Sequence, residues 1–578
     1  MKSKKIFSIC IVSLVSIICY LFFQLILPYH LFFKEQLQLF FITPEYFFSY
    51  FNKPAALACY IGDFLTQFLY LRGGGAIVIT IILLIEWGIV TQVLKRFGCG
   101  KFASLWALLP VAAEWILYSE LFFTVSLSIS FIITLLLFFG YTRIQGRRFS
   151  CLTGCILIPL IYTLAGAIVF LFPVLVILYD IYTNKKSRFH WILLVCIAGF
   201  YPLLIRSFYL LTLKQAYLFP FHTLQFELSA FILVGLILLL QINKIRTLKQ
   251  TALSVIVTTV LIISLLTGGL AHTTDLNREK ILALASEAYF NNWEKVYQLA
   301  EKEKLPNAVA TYYANMALSQ RGQLGDKLME YYQPFSDGLF LPVNSDSNWL
   351  TIFFSSDVFF YLGDMNMAQH SAMLGMIFSP NGRSSRSIKR LAEINLINED
   401  TSATRKYLRM LKVTLFHRKA ANRLEAILLA ENPEDYPWLQ TKRKNIHAKD
   451  ILRLSSDYQS TLRLLVESNP DNKPALDYLL SYYLLHKDIP SFIKVYNTYY
   501  KGKTVSVPQV YSEAILIYLA VTKTTPKELV SYGINNRIIS NFNKYTELYE
   551  LSNGKLKAVQ DRFPHSYWIY YHFAEIKK

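Results

Sequence analysis

Cysteine is scarce in this chain and confined to its first part: seven among 578 residues, none after Cys196. The remaining C-terminal sequence therefore cannot be held by a disulfide framework. Cys151 and Cys155 are four residues apart, but no histidine or third cysteine lies nearby in the sequence. We interpret them as small packing residues and predict no metal site.

Several sequence signatures of catalysis are also missing. The chain contains no Walker-type loop, no GxGxxG after a strand, no zinc-ligand spacing and no GxSxG. ATP-driven transport, dehydrogenase chemistry and α/β-hydrolase chemistry thus have no support, and we predict no cofactor. The net charge is +19, but no basic stripe interleaved with exposed aromatic residues stands out in the second half. We therefore expect no nucleic-acid partner.

Hydrophobic residues are abundant, at 54% of the chain, and the mean hydropathy is +0.34. Charge is divided unevenly along it: residues 1–271 hold 20 Lys and Arg against 8 Asp and Glu, and the rest holds 38 against 31. Such a division is typical of a membrane domain followed by a polar one. We predict an all-α protein with a polytopic transmembrane domain at 1–271 and a helical domain at 272–578.

Nine apolar runs make up the first domain: 6–27, 74–93, 103–118, 121–140, 151–164, 165–182, 190–204, 227–241 and 251–271. The first is too long for a cleaved signal peptide and lacks a small-residue cleavage site. A bilayer crossing needs about 20 residues, and several runs are shorter. The stretches 103–140 and 151–182 therefore each fit either one tilted helix or a tight hairpin.

Basic clusters decide between these alternatives, because cytoplasmic loops carry an excess of Lys and Arg. Only if both stretches are hairpins do all clusters and the N-terminus share one side. We therefore predict nine spans of the cytoplasmic membrane, a cytoplasmic N-terminus and an exported second domain, periplasmic in a Gram-negative cell. The clusters are Lys95, Arg96 and Lys101; Arg143, Arg147 and Arg148; Lys185, Lys186 and Arg188; and Lys244, Arg246 and Lys249.

The second domain shows helical periodicity with a recurring Asn or Asp just before an amphipathic helix. These residues are Asn292, Asp326, Asp364, Asp400 and Asp488, at intervals of 34, 38, 36 and 88. Paired helices repeating every 34 residues or so are typical of tetratricopeptide-like solenoids. The alternative is an irregular helical bundle. A solenoid would offer a groove for an envelope protein or peptide.

Four stretches carry a resemblance to a known group: YHLFFKEQLQLFF, YIGDFLTQFLY, YYANMALSQRGQLGDKLMEYY and VESNPDNKPALDYLL. They resemble a family of uncharacterised multi-spanning proteins from Bacteroidota with a C-terminal helical-repeat domain. The likeness covers most of the chain. It implies a membrane protein and brings no activity with it.

The connection 28–73 is rich in aromatic residues, with 14 Phe or Tyr between Tyr29 and Tyr70. We expect it to lie in the membrane interface, where aromatic rings concentrate. Its layout, a first span followed by an outward loop with carboxylates, is similar to that of GT-C glycosyltransferases. That resemblance implies Glu35 or Asp63 as the catalytic carboxylate and a polyprenyl-phosphate sugar donor.

In such an enzyme Arg72, Arg206 or Lys214 would contact the donor phosphate. The loop lacks the paired Asp-Asp or Asp-x-Asp of a sharper match. The alternative is that Glu35 and Asp63 are polar positions on interfacial helices, paired with Lys34 or Arg72.

Two further carboxylates, Glu86 and Glu114, lie inside apolar runs. Charge inside a bilayer is costly, so such residues are normally buried, paired or functional. They either form a proton or cation pathway or hydrogen-bond to neighbouring helices. Two hypotheses for the whole protein follow: an envelope scaffold whose helical domain binds a partner, and a lipid-linked glycosyltransferase acting in the loop.

Overall fold

The computed structural model describes residues 2–575 apart from 101, 185–187, 222–226, 242–251, 344–348, 433–434, 448–453, 455, 503–505 and 524–525. Among those residues every regular element is a helix and none is a strand, which confirms the all-α prediction. The chain divides into two units, Met1–Leu276 with Val413–Phe416, and Asn277–Lys412 with His417–Lys578. Lys101, Lys185, Lys186, Lys244, Arg246 and Lys249 of the basic clusters lie outside the described residues.

In the first unit a helix occupies each of the nine predicted apolar runs, because long apolar side chains pack well on a helix that satisfies its own backbone. The helices are Lys2–Leu25, Pro28–Gln36, Pro44–Ser49, Ala56–Thr66, Gly74–Arg96, Ala103–Trp106, Leu108–Tyr118, Val125–Tyr141, Arg147–Ala165, Leu171–Tyr182, Arg188–Ile205, Leu213–Leu218, Leu228–Gln241 and Ala252–Thr273.

Helix length does not by itself establish nine crossings. Four described helical runs are long and apolar enough to cross a membrane: Gly74–Arg96, Arg148–Tyr182, Arg188–Ile205 and Val255–Thr273. A fifth is added if Val12–Leu25 and Pro28–Gln36, which meet at 70°, form one span. The helices at 103–118, 125–141 and 228–241 are shorter than a full crossing.

The run Arg148–Tyr182 folds back on itself near Gly166. A Cβ placed on Gly154 would lie 3.5 Å from the ring of His190, and the indole nitrogen of the adjacent Trp191 donates to Asp180 at 3.0 Å. A straight helix would separate residues 154 and 180 by about 39 Å, which two neighbouring residues cannot bridge. Gly166, at φ 81° and ψ −146°, breaks the helix where the reversal occurs. These contacts favour the hairpin alternative at 151–182.

Helix ends that carry basic residues meet at one end of the first unit. Phe97, which follows Lys95 and Arg96, packs its ring against Phe138 and Tyr182 with centroids about 6 Å apart. The amide of Gln241 donates to the backbone oxygen of Leu178 at 2.9 Å, so the helix Leu228–Gln241 ends there too. Among the described basic residues, the guanidiniums of Arg96 and Arg143 lie over one ring, that of Phe139, at 5.0 and 4.8 Å from its centroid.

The second unit consists of many short helices, and its pairs pack in sequence order. They are Leu276–Tyr289, Trp293–Glu303, Ala308–Gln320, Leu324–Lys327, Leu350–Phe354, Ser356–Leu362, Met365–Ile377, Ser385–Ile397, Thr401–Lys412, Arg418–Leu428, Pro437–Lys444, Tyr458–Ser468, Lys473–Leu485, Ile489–Val495, Gln509–Thr522, Pro526–Ser531, Asn536–Leu551, Leu556–Gln560 and Tyr567–Phe573. From 356 to 428 each helix packs mainly on the next, as helices of a repeat array do.

Long-range packing departs from that pattern. The helix Ala308–Gln320 packs against Lys473–Leu485, and Leu324–Lys327 packs against Gln509–Thr522. At the second contact a Cβ on Gly325 would come within 2.8 Å of the ring of Tyr511, so only glycine allows this approach. A solenoid contacts only neighbouring repeats, and these closures across more than 150 residues leave a tetratricopeptide-like array undemonstrated.

Three of the five predicted helix caps are confirmed. The carboxylates of Asp364, Asp400 and Asp488 accept from the amides of Met367 at 3.0 Å, Ala403 at 2.9 Å and Ser491 at 3.1 Å. The prediction is wrong for Asn292, whose side-chain amide donates to Glu287 at 3.0 Å. It is also wrong for Asp326, which lies inside a helix and accepts from the amide of Gln509 at 2.9 Å. Asp326 is thus bound by a residue far along the chain, and Asn292 by a residue of the helix that precedes it.

Candidate functional site

A cation-lined pocket in the second unit is the most distinctive polar site among the described residues. It is a cavity of about 90 Å³ beside the helix Ser385–Ile397, which contributes four of its lining residues. These four residues are three or four positions apart, so they lie on one face of the helix. The lining residues are Tyr289, Asn291, Phe360, Arg386, Lys389, Arg390, Glu393, Arg423, Leu424 and Trp438.

One buried carboxylate holds two of the pocket's arginines. Asp357 accepts hydrogen bonds from the guanidinium of Arg386, from that of Arg390 at 3.2 Å and from the hydroxyl of Tyr313 at 2.9 Å. Burial alone would raise the pKa of Asp357, but the two guanidinium charges outweigh it and leave the pKa below its usual range. Asp357 is therefore ionised and fixes both arginines in place.

Aromatic rings contact two cations of the pocket. The guanidinium of Arg390 lies 3.8 Å from the ring centroid of Phe360, and the ammonium of Lys389 lies 4.2 Å from that of Tyr289. Ring faces attract cations, most strongly where water is excluded. Glu393 pairs with Arg390 at 3.1 Å and with Lys389 at 3.9 Å. Arg390 and Lys389 are thus each held by a ring and by Glu393.

Two cations of this region differ in their surroundings. Lys442, behind Phe360, donates to the backbone oxygens of Phe360 at 2.7 Å and Tyr361 at 3.1 Å. Burial, and next the charge of Arg390, lower the pKa of Lys442 to about 7. Arg423 is exposed at the rim, and its side chain makes no hydrogen bond or ion pair with any residue in the described part of the chain. Its donors are available to a ligand.

The loop carboxylate Asp63 is half-buried where two helices approach closely. A Cβ on Gly62 would lie 2.5 Å from the backbone of Ser126, so glycine permits this contact. The hydroxyl of Tyr50 donates to Asp63 at 2.7 Å, and Ser126 also bonds to it. Burial raises the pKa of Asp63 to about 6, although both hydrogen bonds oppose the rise. A carboxylate of this kind is suited to accept a proton near neutral pH.

Glu35 lies in the helix Pro28–Gln36 and is 3% exposed. The adjacent Lys34 donates its ammonium to the backbone oxygens of Tyr118 at 3.1 Å and Phe123 at 2.9 Å. Burial and the neighbouring charge of Glu35 raise the pKa of Tyr70. The segment 28–73 is therefore largely helical and packs into the first unit, and its carboxylates are not on a loose loop.

The three cations assigned to a donor phosphate have exposed side chains. None of Arg72, Arg206 and Lys214 makes a side-chain hydrogen bond or ion pair with any residue that the structure describes. Their role in binding a phosphate stays a prediction.

The two carboxylates within apolar helices have different environments. Both oxygens of Glu114 are bonded, accepting from the hydroxyls of Ser128 and Ser229 at 2.5 Å each. Tyr118 hydrogen-bonds to Ser128 at 2.7 Å and extends that network. Glu86 is fully buried, and neither of its oxygens has a hydrogen-bond partner among the described residues. Glu114 thus hydrogen-bonds to two neighbouring helices, whereas Glu86 has no such bond among the described residues.

Residues 2–574 match the profile of a family of unknown function, DUF6057. The chain belongs to the DUF6057 family. An uncharacterised family spanning nearly the whole chain was expected from the sequence, and that expectation is confirmed. No curated protein and no solved structure matches this DUF6057 chain.

Sequence reasoning did not find the pocket of this DUF6057 chain, although one signal for it was present. Arg386, Lys389 and Arg390 have i, i+3, i+4 spacing and Glu393 follows by one turn, which places them on one helix face. What the spacing could not show is that Phe360, Arg423 and Trp438, from three other helices, close around that face.

Proposed function

We propose that this protein is a multi-span cell-envelope protein whose second unit binds an anionic group of a partner, such as an envelope protein or peptide. The pocket carries this proposal. Arg386, Lys389, Arg390 and Arg423 line it, whereas Glu393 is the one carboxylate among the described lining residues and Asp357 lies behind two of the arginines. A concave site with an excess of fixed positive charge attracts anions and repels cations.

The arrangement favours recognition over acid–base chemistry. Among the described lining residues Glu393 is the single carboxylate, and its oxygens are paired with Arg390 and Lys389. A general base has to be able to accept a proton from a substrate, and a carboxylate tied to two cations does this poorly. Guanidinium groups are instead the usual ligands for carboxylates and phosphates in recognition sites.

Peptide binding to the full chain in detergent tests this function. A glutamate-rich peptide should bind in titration calorimetry, and its glutamine counterpart should not. Arg423→Gln combined with Lys389→Gln should weaken binding by about tenfold or more, since a charge-assisted hydrogen bond contributes about 1.5–3 kcal/mol. Arg405→Gln with Arg409→Gln, two exposed positions outside the pocket, is the charge-matched control. Peptide binding that both double variants retain equally would reject the function.

The same proposal includes nine crossings of the cytoplasmic membrane, a cytoplasmic N-terminus and an exported second unit with tetratricopeptide-like character. It is supported by the shared end of the basic helix termini, by the reversal near Gly166 and by the sequential packing from 356 to 428. A reporter active only outside the cytoplasm should be active after Lys578 and silent near Arg147. The reverse pattern would contradict the orientation.

Glycosyl transfer from a polyprenyl-phosphate sugar is the alternative function, favoured by one observation: the pKa of about 6 at Asp63 in an aromatic segment. Glu35→Gln and Asp63→Asn remove the basic oxygen and keep the size, so turnover should fall about 10²-fold or more while folding survives. Arg206→Ala should weaken donor binding. Full complementation by both carboxylate variants, in a strain whose deletion changes a glycan, would leave only the binding function.

A further inference from the structure

We infer that the anion recognised by the pocket is a phosphomonoester, a compact group with two negative charges. This inference rests on the proposed function of the second unit, because it names the ligand of the same site. Three properties of the pocket carry it: its size, its charge excess and the kind of donors at its rim.

Size limits the ligand first. A cavity needs roughly 10–15 Å³ to hold one water, so about 90 Å³ takes on the order of six to nine waters. A phosphoryl group with its ester carbon has a similar number of heavy atoms. A sugar ring with its substituents is larger than that. The ligand group is therefore small, with the rest of the molecule outside.

Charge is the second limit. Four cations line the pocket, against the carboxylate of Glu393 in the same lining and that of Asp357 behind it, so these six groups carry an excess of two positive charges. A phosphomonoester carries about −1.5 to −2 at neutral pH and balances that excess, whereas one carboxylate leaves half of it uncompensated. Aromatic walls formed by Tyr289, Phe360 and Trp438 reduce the water between these charges, which strengthens the preference.

Donor type is the third. Arg423 is an exposed guanidinium without a partner among the described residues, and its planar fork suits two phosphate oxygens at once. Lys389 is held at 4.2 Å over the ring of Tyr289, and its ion pair with Glu393 is long, at 3.9 Å. A lysine ammonium beside a planar guanidinium is a common arrangement for binding a phosphate.

Orthophosphate is the probe for this inference, titrated calorimetrically into the full chain in phosphatidylcholine nanodiscs. It should bind at least about tenfold more tightly than acetate. Arg423→Gln should lower the affinity for phosphate by about tenfold, and the exposed Arg409→Gln should leave it within about twofold. Acetate bound as tightly as phosphate, or phosphate binding that Arg423→Gln does not change, would overturn the inference.

Two further measurements identify the source of the phosphate and distinguish this inference from the proposed function. In nanodiscs containing phosphatidic acid, loss of orthophosphate binding would identify a lipid phosphate as the source, and unchanged binding would identify a soluble or protein-borne one. Both outcomes keep the phosphomonoester. If the glutamate-rich peptide binds through Arg423 but orthophosphate does not, the inference fails while the proposed function stands. If neither ligand binds, the function itself fails.

Discussion

Removing the charge of Asp357 should destabilise the second unit more than removing any exposed carboxylate. Its side chain is 9% exposed and accepts from Tyr313, Arg386 and Arg390. Asp357→Asn keeps the size and one acceptor oxygen. It removes the charge that the guanidinium of Arg386, itself 5% exposed, is paired with, while the hydrogen bonds of that guanidinium to the hydroxyl of Tyr313 at 3.2 Å and the backbone oxygen of Ala285 at 3.4 Å are kept.

The size of the effect follows from what stays behind. Breaking a buried ion pair by removing one partner costs about 3–5 kcal/mol, because the other charge remains buried and uncompensated. Arg390 lessens the loss, since it is 18% exposed and keeps Glu393 at 3.1 Å. We therefore expect a fall in the free energy of unfolding near the lower limit, about 3 kcal/mol.

The same carboxylate sets a pH dependence. The pKa of Asp357 is lowered in the folded unit, so its contribution to stability is complete above the unfolded pKa of about 3.9. That contribution is lost as the pH falls through the lower, folded pKa. The native chain should lose stability in acid in a way that Asp357→Asn does not.

Pulse proteolysis of the full chain in detergent and urea is the assay, because fragments from the second unit report the unfolding of that unit. Glu399→Gln is the control: Glu399 is 71% exposed and pairs with Arg443 at 3.0 Å, and an exposed pair contributes about 0–1 kcal/mol. Asp357→Leu with Arg386→Met should recover much of the loss, since it leaves no unpaired charge. A loss at Asp357→Asn no larger than the control's would refute the reasoning.

Three other changes have defined outcomes. Asp364→Ala should lower the free energy of unfolding by about 0.5–2 kcal/mol in the same assay through loss of its cap, and an unchanged midpoint would remove the cap assignment. Glu86→Leu should raise the thermal unfolding midpoint of the first unit, because an unbonded buried carboxyl costs about 1–3 kcal/mol; a lower midpoint would show that Glu86 has a partner. The pKa of Lys442 lies at about 7 in the folded unit, against about 10.4 when unfolded, so unfolding takes up a proton between these values and stability should rise with pH. Lys442→Met should flatten that rise, and a parallel pH series in both proteins would contradict it.

The family, the helical class and the positions of the apolar helices were predictable from the sequence. Apolar runs and helix-period patterns are local properties, and helices satisfy their backbone locally, so composition determines them. Asp364, Asp400 and Asp488 were found for the same reason, since a cap bonds only to the turn that follows it.

The cap prediction fails where another partner competes with the amides of the helix. Asp326 accepts from Gln509, 183 positions away, and Asn292 donates to Glu287, five positions earlier in the chain. The glycosyltransferase resemblance assigned Arg72, Arg206 and Lys214 to the same site as the loop carboxylates; all three are exposed, and that assignment stays a prediction. A similar order of segments along the chain does not show which side chains come into contact.

What the sequence determined by itself is therefore the class of this protein: a helical chain of the DUF6057 family with several apolar helices that could span a membrane, followed by a more polar helical unit. Only the tertiary structure decided that Asp357 holds two arginines, that Phe360, Arg423 and Trp438 close a pocket around them, and that the run through Gly166 turns back. The physical reason is range. Helix formation depends on neighbours within a turn, whereas a charged pocket depends on side chains from helices far apart in the chain, whose meeting is set by packing of the whole unit.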